Sequence, residues 1–143
     1  MLLVVLLLGL AGTAAELFLL EHYEDWKQIV PLALIGLALV SIVWHIVVPS
    51  AANVRVLQAL MTLFLFAGAI GMGLHYDANS EFEREMDPSL TGYRLFTESL
   101  SGATPLLAPG TMVQLGLIGL VYTYRHPRLE SAPIDAGRQE WDV

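Results

Sequence analysis

The run from Leu2 to Leu20 carries only Thr13 and Glu16 as polar side chains. A hydrocarbon core of about 30 Å is crossed by about 20 helical residues, and this run has that length. Two further runs match it: Ile29 to Val48, with Ser41 and His45 as polar members, and Val56 to Leu74, with Gln58 and Thr62. A fourth, Gly110 to Tyr124, gives only about 22 Å of helix. Starting it at Pro105 restores the length but encloses Pro109-Gly110. The expected element is therefore a span with an irregular first turn, tolerable where protein covers the freed backbone groups. Composition points the same way. The chain is 55% hydrophobic and 15% charged, against roughly 45–50% and about 25% in soluble domains. The expected fold is an all-α integral membrane protein, with four transmembrane helices in an up-down bundle.

The organisation that follows is a transmembrane domain over 1–124, with spans at about 2–20, 29–48, 56–74 and 105–124, and a polar cytoplasmic tail over 125–143. Thr13-Ala14-Ala15 has the look of a signal-peptidase site, but no Lys or Arg precedes it, so the first run reads as a retained span. Arg55, Arg125, Arg128 and Arg138 fall on one side of such a bundle, and Lys27, Arg84 and Arg94 on the other. Basic residues hugging the ends of spans mark the cytoplasmic face. Both termini are thus expected in the cytoplasm, and the membrane is expected to be a bacterial inner membrane. The other face is acidic, with Glu21, Glu24, Asp25, Asp77, Glu81, Glu83, Glu85, Asp87 and Glu98.

The stretch 76–104 is long for a structureless connection, so it is expected to be a helical extracytoplasmic insertion. Ser80-Glu81-Phe82-Glu83 matches a capping box opening a short helix to about Met86. Asp87-Pro88 matches an N-cap and first-turn proline opening a second. That second helix would align Leu90, Tyr93, Phe96 and Leu100, end at Ser101-Gly102, and lie in the headgroup plane. A faint echo links the two helical hairpins: His22-Tyr23-Glu24 follows the first run and His75-Tyr76-Asp77 follows the third.

With 14 acidic and 7 basic residues the formal charge is −7, the wrong sign for a nucleic-acid binder. The chain has no Cys, which removes disulfides, thiolate nucleophiles and Cys-based metal centres. No spacing of a catalytic triad, metal hydrolase or phosphate-binding loop is present, so an enzyme is not the expectation.

Glu16 is the most costly residue to place in lipid, and it is the candidate proton or ion carrier. A four-span chain with Glu16 in its first helix and Gly68, Gly71 and Gly73 in its third resembles the small multidrug resistance family. The resemblance implies proton-coupled antiport with Glu16 as the working carboxylate. The insertion over 77–104, the acidic face and the broken fourth helix depart from that family's compact pattern, so the assignment is not adopted.

The four histidines fall in two tiers. His22 and His75 lie at the outer ends of spans, and His45 and His126 at the inner ends. Facing His pairs ligate haem, and His with carboxylates holds transition metals. All four are candidate cofactor ligands, and His22, His75 and Asp77 are a candidate metal set. Gly68, Gly71, Gly73, Gly116 and Gly119 are expected at close helix contacts, and Gln114 is expected to bond across the interior. Tyr23, Trp26 and Tyr124 sit where an aromatic belt would. The expected partners are the lipid bilayer and other membrane-protein subunits or a second copy. The leading expectation is a structural or accessory subunit of a larger membrane complex. A haem- or metal-binding redox protein and a proton-coupled transporter are the alternatives.

Overall fold

The structure is a computed structural model that describes residues 1–105 and 107–130; the tail beyond 130, with Arg138, lies outside the described residues. The helices are α1 (Leu2–Leu19), α2 (Trp26–Val47), α3 (Ala51–Met86), α4 (Gly92–Leu100), α5 (Gly110–Thr123) and α6 (Pro127–Glu130), with no strand among the described residues. Helices α1, α2 and α3 are long and apolar enough to cross a membrane, whereas α5 is apolar but shorter. Only 11%, 28% and 22% of their most apolar windows is buried, so most of the apolar surface of these helices faces outward. A soluble fold would hide it; a lipid-facing one need not.

Packing is antiparallel between chain neighbours. Helix α3 lies against α5 and α2, and α1 lies against α5 and α2. The centre is filled by Leu6, Leu10, Ile35, Ala38, Ile42, Leu57, Met61, Phe64, Met112 and Leu115. The α3–α5 contact is close because glycines line it. A Cβ on Gly68 would lie 2.7 Å from the Val113 side chain and 2.8 Å from the Pro109 carbonyl oxygen; one on Gly116 would lie 2.7 Å from the Met61 carbonyl oxygen. Gly71 abuts Pro109 and Gly119 abuts Met61 in the same way. Gly73 has open space around it, so it is not a packing glycine.

Several boundaries differ from the sequence expectation. Helix α2 starts at Trp26, because the Gln28 Oε1 reaches back to accept from the backbone N–H of Glu24 (2.9 Å) and Asp25 (3.2 Å). Helix α3 starts at Ala51, capped by the Ser50 Oγ, which accepts from the Asn53 N–H. It then runs 36 residues without a break, about 54 Å. It passes the expected end at Leu74 and absorbs the short helix expected from Ser80. No proline interrupts it, and Ser80 is a buried mid-helix residue rather than a cap.

Asp87 does not open a helix either. It closes α3, and its carboxylate accepts from the Ser89 N–H (2.9 Å) and Oγ (2.6 Å), tying a turn. Helix α4 opens only at Gly92, after Thr91. It turns Leu95 and Ser99 inward and leaves Tyr93, Phe96 and Leu100 exposed. It also runs back alongside the outer end of α3, with the Phe96 ring 6.0 Å from that of Tyr76. The insertion is therefore a helical arm packed against α3. Finally, α5 begins at Gly110, with turns at 107–109 before it.

Candidate functional site

Two polar clusters occupy opposite ends of the molecule. At the end where α2 and α5 stop, the last turn of α2 supplies His45 and the last turn of α5 supplies Tyr122. Arg125 then adopts a left-handed conformation (φ 48°), unusual for a residue with a side chain, and folds the chain back so that His126 returns to α2. The His45 Nε2 and the Tyr122 hydroxyl are 3.0 Å apart. Ring centroids are separated by 5.3 Å for His45–His126, 5.8 Å for Tyr122–His126 and 5.9 Å for His45–Tyr122. The His126 Nδ1 accepts from the Arg128 backbone N–H. His45 is only 5% exposed, and among the described residues its Nδ1 has no partner; neither has the Ser41 Oγ, one turn earlier on α2.

This end is held by side chains that sequence reading passed over. The Asn53 amide donates to the carbonyls of Trp44 and Val48, binding the start of α3 to the end of α2. The Gln58 amide donates to the Thr123 carbonyl at 3.2 Å, and Thr123 bonds back to Gly119. Two imidazoles and a phenol in mutual edge contact form a compact cluster of nitrogen and oxygen hydrogen-bonding atoms. His45 and His126, two of the candidate cofactor ligands, are brought together here.

At the other end, His75 on α3 donates from Nδ1 to the Pro105 carbonyl at 2.9 Å, which leaves its Nε2 as the free lone pair. His22, between α1 and α2, is its neighbour. Burial, and next the charge of His75, hold the His22 imidazole below its ordinary pKa. Asp77 is exposed, in a shallow depression with Tyr76, Ser80, Glu81, Arg84 and Glu85. Among the described residues no group of three or more His, Asp or Glu side chains converges, so the set His22, His75 and Asp77 is not assembled.

Above this pair, Asn79 latches the outer arm. It is 1% exposed. Its amide donates to the carbonyls of Ser99 (3.0 Å) and Thr104 (2.9 Å), and its oxygen accepts from the Thr104 N–H (2.8 Å). The one sequence signal for it is Gly102, where a Cβ would lie 2.6 Å from the Asn79 side chain.

Of the two polar residues singled out in the apolar runs, Gln114, expected to bond across the interior, lies outside, and so does Glu16. Glu16 is exposed on the surface of α1. Gln114 is exposed on α5, because Leu115, Gly116 and Gly119 take the inward positions and turn it away. Comparison with protein-family models, with curated proteins and with solved structures finds no match to this chain.

Proposed function

We propose that α1, α2, α3 and α5 form a four-helix up-down bundle in a bacterial inner membrane, with both termini cytoplasmic, and that the chain serves as a structural or accessory subunit of a larger membrane complex. One observation carries this reading. Glu16 and Gln114 are polar yet face outward from helices whose surroundings are otherwise apolar, while the centre is filled by packed apolar side chains. Polar side chains within a membrane face protein or a water-filled cavity. Among the described residues no side chain meets them, and in this reading another chain supplies the protein that does. The same filled centre tells against a substrate path, and an outward Glu16 tells against its use as an interior proton carrier. Arg55, Arg125 and Arg128 at one end support the orientation.

Purification in mild detergent tests the reading. The expected result is a particle containing a second, stoichiometric protein. A stable species consisting of this 15.7 kDa chain alone overturns it.

A redox or metal-binding role is the second reading, favoured by the outer pair, where His75 is oriented by a carbonyl as metal-ligating histidines are. An absorption spectrum without a Soret band, together with metal analysis below stoichiometry, removes it.

A further inference from the structure

The outward face of α5 has a feature that lipid cannot satisfy. Gln114 is exposed, and its amide bonds to nothing among the described residues. Its depth follows from its neighbours. Val113 meets Gly68, and Gly116 meets Leu65 and the Met61 carbonyl, so Gln114 lies level with the middle of the apolar run Val56 to Leu74. One and two turns further on, Leu117 and Val121 occupy the same face and are exposed.

A second observation concerns the start of the same helix. Gly71 meets the Pro109 side chain and Gly68 meets the Pro109 carbonyl, so the turn over 107–109 reaches inside the apolar depth, beside an exposed Leu107. Irregular backbone at that depth persists only where protein covers it. A helix shorter than the bilayer also gains by associating with another.

We infer that the outward face of α5 is a homodimer interface, with Gln114 of each copy bonding its counterpart. The inference rests on the membrane-embedded bundle proposed above. A second copy is the occupant because a carboxamide is its own complement, offering one donor group and one acceptor oxygen. Two copies with the same orientation are related by a two-fold axis along the membrane normal, which sets α5 parallel to its counterpart and brings identical residues opposite. Leu117 and Val121 then pack beside the amide pair, and the second copy covers the irregular start of the helix.

The chain has no Cys, so single-cysteine reporters are clean. In native membranes, oxidative cross-linking of Leu117→Cys and Val121→Cys is expected to give a band of twice the mass, whereas Val40→Cys on α2 and Phe66→Cys on α3 give little. Adding Gln114→Leu to Leu117→Cys is expected to weaken dimerisation about tenfold, with Gln114→Asn retaining part of it. Since Gln114 is exposed, thermal unfolding of the solubilised monomer is expected to be the same with Gln or Leu. Three outcomes overturn the inference: equal cross-linking from all faces, a Leu117→Cys yield indifferent to Gln114→Leu, or a Leu117→Cys adduct with a different protein. The last leaves the subunit reading intact. A homodimer with no other stoichiometric protein defeats the subunit reading and leaves this inference standing.

Discussion

A single methyl group distinguishes glycines that look alike in sequence. At Gly68 and Gly116 the added carbon would meet backbone carbonyl oxygens, which cannot move aside; at Gly12 and Gly36 it would meet nothing within 4 Å. Gly68→Ala and Gly116→Ala are therefore expected to destabilise by about 1–3 kcal/mol through overpacking. Gly12→Ala and Gly36→Ala are expected to be neutral or to stabilise by about 0.5–1 kcal/mol through helix propensity. Thermal unfolding in detergent checks this, and equal effects at all four sites would refute the packing account.

His22 supplies a pH signature. Burial and His75 lower its pKa in the folded state below the ordinary 6.5. Between the lowered and the ordinary value the unfolded chain holds more protons, so stability falls as pH drops through that interval and is unaffected above it. Melting between about pH 8 and pH 5 is expected to show this loss, and His22→Gln is expected to reduce it. Identical slopes in both proteins would remove His22 from the account.

Residue identity was readable for the close-contact glycines and for the two histidine tiers. Direction was not. Gln114 turns outward, and Gly73 into open space, because spacing along one helix does not say on which side its neighbour lies.

At the scale of elements, the long apolar helices were legible because length and polarity suffice to find them. The outer arm was legible as helical but not in its boundaries. Ser80-Glu81-Phe82-Glu83 has the letters of a capping box, but such a box acts only where the chain enters from a non-helical residue, and α3 never leaves the helix before Asp87. Asn79 explains how the arm holds together. It reads as a loop residue, yet its side chain spends both donors and its acceptor on α4 and the segment after it. Asn79→Ala leaves two carbonyls and one N–H without partners, an expected loss of about 1–3 kcal/mol confined to the arm. Hydrogen exchange is expected to rise over residues 92–104 and to stay unchanged across α1 and α2. A uniform rise throughout the protein would show that the arm is not a separable unit.

For the whole molecule, the sequence conveyed an all-helical chain with spans suited to a membrane, and the hairpin order followed from short connections. The polar cluster of His45, Tyr122 and His126 was only partly legible. His45 and His126 stood out as residues, but their meeting depends on the left-handed turn at Arg125, and Tyr122 on the preceding helical turn carried no signal of its own.

Continuity of α3 has a structural consequence. One rod, without a proline, reaches from the Ser50 cap to Asp87. Its far end carries the arm, and its near end carries Asn53, whose amide grips the last turn of α2 beside His45. Both polar ends are thus built on a single uninterrupted helix, which between them makes the glycine-lined contact against α5.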